Sequence, residues 1–187
     1  MSVIRLWVIS LWIIVGFVSV TNAQSSSIRS VDFGSFTYTW PLDYAVGTRS
    51  ARKFTLNGGE LEMTKHQMGV SLSNVIYGDV TGDDVEEAIV ALSIRTGGSA
   101  IPGIVYVFAF RSGRPSQLWS FSTGDRADGG LRETYSEDGN LVVEVFGPKR
   151  RDEADGQPKR FTRSRYVWRN QRFQPQTGNE IIELAAL

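Results

Sequence analysis

After an apolar leader, the chain alternates short runs rich in β-branched and aromatic residues with breaks of Gly, Asn and Asp. The runs are Phe33 to Trp40, Lys53 to Leu56, Glu60 to Met63, Asn74 to Tyr77, Glu87 to Ile94, Gly103 to Phe110, Gln117 to Ser122, Asn140 to Phe146, Phe161 to Trp168 and Arg172 to Gln174. Such spacing predicts a mostly β domain, built as an antiparallel sheet, a sandwich or a partial propeller-like unit. The breaks agree. Asn57-Gly58-Gly59 joins two runs as a tight hairpin would, Asp138-Gly139 precedes the Leu141 to Phe146 run, and Trp168 to Phe173 forms a closing hairpin turning at Asn170. Helix is expected to be scarce, because only Tyr44 to Lys53 and Glu180 to Leu187 have the pattern for about two turns each.

The first residues follow a different logic. Met1 to Ala23 combine a basic start at Arg5, an apolar stretch from Leu6 to Val20 and a small-residue exit at Thr21-Asn22-Ala23, the order of a cleavable secretory signal peptide. The apolar stretch is shorter than the ~20 residues a membrane-spanning helix needs, so contact with the membrane is expected only before cleavage. Residues 24–31 are expected to be a disordered polar lead-in. One domain over 32–187 then follows, of a size that can bury a core.

Composition narrows the setting. Lys plus Arg and Asp plus Glu number 20 each, which argues against a nucleic-acid partner. There is no cysteine, hence no disulfide, and no Asn-x-Ser/Thr acceptor. The picture is of a secreted or periplasmic bacterial protein with a partner in the cell envelope.

One segment carries recognisable chemistry. Asp79-Val80-Thr81-Gly82-Asp83-Asp84-Val85-Glu86-Glu87 alternates oxygen side chains along a compact loop between two apolar runs. Asp79, Thr81, Asp83 and Glu87 could supply side-chain oxygens to one calcium ion and Val85 its carbonyl, since Ca²⁺ takes six to eight oxygens at about 2.3 to 2.6 Å. The twelfth residue is Val90, not the bidentate Glu of an EF-hand. The alternative is an acidic, solvated turn without metal. The loop resembles the strand-loop-strand calcium motif of FG-GAP and VCBS-type repeats, with Thr81 in place of an amide or acid and Asp84 in place of the second glycine. Tyr77-Gly78-Asp79-Val80-Thr81-Gly82-Asp83, Glu87-Ala88-Ile89-Val90, Tyr106-Val107-Phe108 and Gly124-Asp125-Arg126-Ala127 together resemble secreted bacterial domains similar to the LppP/LprE lipoproteins. That resemblance implies an envelope setting and no established activity, and the lipobox cysteine of those proteins is absent here.

Two further clusters admit two readings each. Gly124 to Arg132 packs two Asp and two Arg into a glycine-rich connection that either holds a small polar ligand or forms an ion-paired turn. In Phe161 to Arg169, alternation puts Arg163, Arg165 and Arg169 on one strand face and Thr162, Ser164, Tyr166 and Trp168 on the other. The arginines either meet an anionic polymer or form a solvated face whose stems cover an aromatic layer. Residues 149–160 carry both signs of charge and read as a mobile loop.

Catalytic signatures are sparse. His66 is the only histidine, no G-x-S-x-G elbow accompanies it, and phosphate-loop and dinucleotide fingerprints are missing. A non-catalytic binding or structural module is the first expectation. A carbohydrate hydrolase using two of Glu133, Asp138 and Glu144 is the alternative, and a cleft lined by Trp or Tyr with two carboxyls about 5 to 10 Å apart would favour it.

Overall fold

In a computed structural model, residues 27–41, 53–65, 67–125, 129–147 and 159–184 are described. The leader, the rest of the lead-in, most of the Tyr44 to Lys53 segment, His66, Arg126 to Asp128 and nearly all of the 149–160 loop lie outside these residues.

The chain folds as an antiparallel β sandwich. Strands β3 (Glu60–Leu61), β4 (Gly69–Gly78), β5 (Glu87–Arg95), β6 (Gly103–Arg111) and β7 (Arg114–Thr123) form one sheet in sequence order. Strands β8 (Leu131–Glu137), β9 (Asn140–Phe146), β10 (Arg160–Arg169) and β11 (Arg172–Pro175) form the second, and β12 (Glu180–Glu183) pairs with β10. A small pair, β1 (Thr37–Thr39) and β2 (Lys53–Thr55), covers the far side of the first sheet.

Two-residue turns set the registers. Ser112-Gly113, Asp138-Gly139 and Asn170-Gln171 all take positive φ at both positions and close the pairs Arg111 with Arg114, Glu137 with Asn140, and Arg169 with Arg172. Left-handed residues at both turn positions match the twist of the strands they join, which is why short hairpins favour them.

Strands β5 and β6 are buried on both faces, so their alternation sorts residues between two cores. Ala88, Val90, Leu92, Ile94, Ile104, Tyr106 and Phe108 face the N-terminal layer and meet Phe33, Tyr38, Phe54 and Leu56. Ile89, Val105 and Val107 face the second sheet and meet Leu141, Val143 and Phe173. The N-terminal layer is held by hydroxyls as well as by packing: Tyr38 donates to the Phe33 carbonyl at 2.7 Å and Tyr106 to the Thr39 carbonyl at 2.9 Å. Burial of the Tyr38 phenol raises its pKa well above the ordinary value.

Three expectations change. The packed structure begins ahead of Asp32, because Ile28 is 2 % exposed in the first core and residues Ile28–Ser30 form a 3₁₀ turn. Phe33 to Trp40 is divided between a second 3₁₀ turn at Phe33–Ser35, capped by the Asp32 carboxylate, and β1. Glu180 to Glu183 is strand rather than helix: it takes the edge of β10 in the register Arg163 with Glu180 and Arg160 with Glu183, and both pairs are ion pairs.

Leu56 is fully buried beneath the N-terminal layer, and its N–H donates to the Phe36 carbonyl at 3.0 Å. Leu56→Ala is expected to cost about 2 to 5 kcal/mol in urea unfolding with a single transition retained. Ile181→Ser, at a residue 70 % exposed, should stay within about 0.5 kcal/mol. Equal effects of the two substitutions would show that the N-terminal layer is not part of the cooperative unit.

Candidate functional site

The acidic loop between β4 and β5 is closed by hydrogen bonds of its own. Asp79 Oδ1 accepts the N–H groups of Thr81 at 3.1 Å, Gly82 at 2.6 Å and Asp83 at 3.3 Å, and Oδ2 accepts that of Asp84 at 2.9 Å. Asp83 Oδ1 accepts from Val85 N–H at 3.0 Å. Glu87, 1 % exposed, accepts the Val80 N–H at 3.0 Å and the Thr81 hydroxyl at 3.2 Å. Asp84 has φ of 63°, the left-handed conformation that its glycine-like position requires. The loop is anchored across the sandwich, where Ser136 Oγ donates to the Asp79 carbonyl. It is anchored again at the N-terminal layer, where Arg29 forks onto Glu86 at 2.6 Å and lies over the Tyr77 ring.

Those bonds bear on the calcium expectation. Of its five residues, Asp79, Asp83 and Glu87 direct carboxylate oxygens at backbone N–H groups, Thr81 donates to Glu87, and Val85 is 54 % exposed. No group of three or more acidic or histidine side chains converges as a cation cage among the described residues. As placed, these residues close the corner through hydrogen bonds of their own.

Glu87 is the electrostatic weak point of that corner. Burial raises its pKa, the Asp83 and Asp79 charges add to the rise, and the Val80 and Thr81 hydrogen bonds oppose it.

The outer face of the second sheet disposes of the arginine row. Arg163 and Arg165 stand outward, and Tyr166 and Trp168 pack inward against Trp119 and Phe173. Glu144 on β9, 1 % exposed, receives Arg163 Nε at 2.8 Å, the Tyr135 hydroxyl at 3.2 Å and Arg132 Nη1. Arg163 also pairs with Glu180, Arg165 with Glu137, and Arg132 with Glu133. Arg132 lies over the Phe161 ring at 4.2 Å. The face is ion-paired, with the Arg132 guanidinium over the Phe161 ring. It also accounts for two of the candidate hydrolytic acids: Glu133 and Glu144 are cross-strand partners joined through Arg132, while Asp138 sits in the β8–β9 turn with φ of 53°.

A cleft opens on the inner side of that sheet, at the end of the sandwich where β7 passes into β8. It has a volume of about 840 Å³. Its origin lies in the register of β4 to β7. The row Ile76, Ile89, Val107 and Trp119 fills the space between the sheets. One step along come Asn74, Ala91, Val105 and Phe121, and beyond them Ser71, Ser93, Gly103 and Thr123. Side chains therefore shrink towards one end, and the sheets are left unfilled there. Gly103 is required, since a Cβ would lie 2.7 Å from Thr123 Oγ1. That hydroxyl is buried and finds no hydrogen-bond partner among the described residues.

Leu131, Arg132, Glu133 and Thr134 line the opposite wall, and Asp125 lies at the mouth. The described ends of the Gly124 to Arg132 connection thus border the cleft, with Gly124 and Asp125 bridged to Gly130 and Gly129. Sequence reasoning singled out this connection, and missed Asn74, Ala91 and Ser93, which sit within runs identified only as strand, and Thr123, which follows the run ending at Ser122. No Trp or Tyr borders the cleft among the described residues. The chain matches no known family profile and no curated protein.

A raised carboxyl pKa favours protonation in the fold, so the stability tied to Glu87 is full below the unfolded carboxylate value and is lost as pH rises through the folded one. Glu87→Gln is therefore expected to melt above wild type at pH 8, with the difference shrinking towards pH 4. A variant less stable than wild type at pH 8 would show that the charge itself holds the corner.

Proposed function

We propose that this chain is an exported, non-catalytic binding module of the bacterial envelope, and that its ligand site is the cleft between the sheets. The taper of the Ser71, Ser93, Gly103 and Thr123 row carries the reading. A sandwich that needed only stability would gain by filling that end, because unfilled interior forfeits contacts and transfer energy. The acidic corner between β4 and β5 acts as the brace that closes the opposite end. A brace already closed by its own amide bonds has little to gain from an ion, so melting curves in chelator and in millimolar Ca²⁺ are expected to coincide. A calcium-dependent rise, lost in Asp79→Asn with Asp83→Asn, would return the ion to the loop as its stabiliser.

The binding role is tested by ¹H–¹⁵N NMR with a fragment set applied to the wild type and to Ala91→Leu. Perturbations are expected to cluster on Asn74, Ala91, Ser93 and Thr123 and to vanish in the variant. Fragments that scatter over the surface, or that ignore the substitution, would remove the cleft as the site. Export is tested separately by mass spectrometry of protein from its native host, where a mature chain beginning at Gln24 is expected. A species retaining Met1 would contradict it.

A further inference from the structure

The walls of the cleft limit what it can hold. The apolar lining is aliphatic, with Ile76 and Ile89 on one wall and Leu131 on the other, and Ile101 stands at the mouth 56 % exposed. Flat faces of the kind on which sugar rings or bases stack are missing from the described lining. Polar character comes from uncharged groups: the Asn74 amide and the hydroxyls of Ser73, Ser93 and Thr134. Arg132 is the one cation among the described lining residues, and it is already engaged by buried Glu144 and by Glu133. Among the described lining residues no unengaged cation therefore faces an anionic head group.

We propose that the cleft binds an uncharged aliphatic amphiphile, a medium-length acyl chain with a hydroxyl or ester head. The chain lies along Ile76, Ile89 and Leu131, and the head hydrogen-bonds the Ser73, Asn74 and Ser93 side of the opening. A volume of about 840 Å³ falls within the range that receives a ligand of this size. Burial of methylene groups supplies the affinity, and the neutral hydroxyl wall supplies the selectivity against a carboxylate head. This assignment rests on the reading of the cleft as the ligand site.

The experiment titrates the full mature chain with monodecanoyl glycerol below its micellar concentration, with decanoate and maltose as comparators, followed by ¹H–¹⁵N NMR. Saturable shifts at Asn74, Ala91 and Ser93 are expected with monodecanoyl glycerol and not with the comparators. Ala91→Leu, which extends a side chain into the cleft, is expected to weaken binding at least tenfold. Ile101→Ser, at an exposed position that leaves the core untouched, should weaken it severalfold. Equal or tighter binding of decanoate or maltose at the same amides would overturn the ligand class while leaving the cleft as a binding site. Absence of cleft shifts with all three probes would overturn the class and the site together.

Discussion

Burial of β5 and β6 on both faces is the constraint on which the rest of the molecule depends. A strand with one solvated face can tolerate drift on that face, whereas here each residue answers to one of two cores. A slip of one residue would exchange Tyr106 and Phe108 with Val105 and Val107 and ruin both layers at once. Short hairpins of fixed turn type make such a slip costly on the β7 side, where Ser112-Gly113 locks Arg111 to Arg114. On the β4 side the acidic corner does the same, since Asp79 collects four N–H groups that only one loop path can present.

The corner joins three parts of the fold. Ser136 reaches it from the second sheet and Arg29 from the N-terminal layer, and Gly78 lets β4 approach β8 so closely that a Cβ would lie 2.7 Å from that of Ser136. The sandwich is thus pinched shut at this end. A buried Glu87 beside Asp79 and Asp83 is an unfavourable charge placement, and the hydrogen bonds it accepts from Val80 and Thr81 are what make the placement tolerable.

How far the sequence disclosed this architecture depended on whether local signals agreed with position. The central strands were legible because double burial gives uninterrupted β-branched runs such as Glu87 to Ile94 and Gly103 to Phe110. Strand β8 was not, because Leu-Arg-Glu-Thr-Tyr-Ser-Glu at an edge needs little apolar character; the Asp138-Gly139 turn was the available clue, since such a turn requires a strand on each side. Strand β12 was hidden for a related reason, as its partner is chosen by cross-strand pairing with Arg160 and Arg163 rather than by its own pattern. Ile28 joins the core through contacts distant in sequence, which a polar neighbourhood conceals. Of the candidate site, the Asp125 to Arg132 connection was visible as a glycine-rich cluster of charge. The wall of small residues was not, because Ser71, Ser93, Gly103 and Thr123 become a row only once register aligns them.

The opening is also written into the backbone. Strand β4 shifts register between Leu72 and Asn74, and β8 between Leu131 and Glu133, so both strands that frame the cleft carry an irregularity in their pairing at its mouth. A bulge bends its strand and increases the local twist, which turns the two strands away from each other beyond the pinch at Gly78 and Ser136. On β8, an edge strand, it also interrupts the row of open N–H and C=O groups, which hinders edge-to-edge association at this position. Small side chains alone would leave a space that the sheets could close by collapsing together. Combined with bulged strands and a fixed pinch, the same residues leave a cleft that persists without a ligand to prop it open.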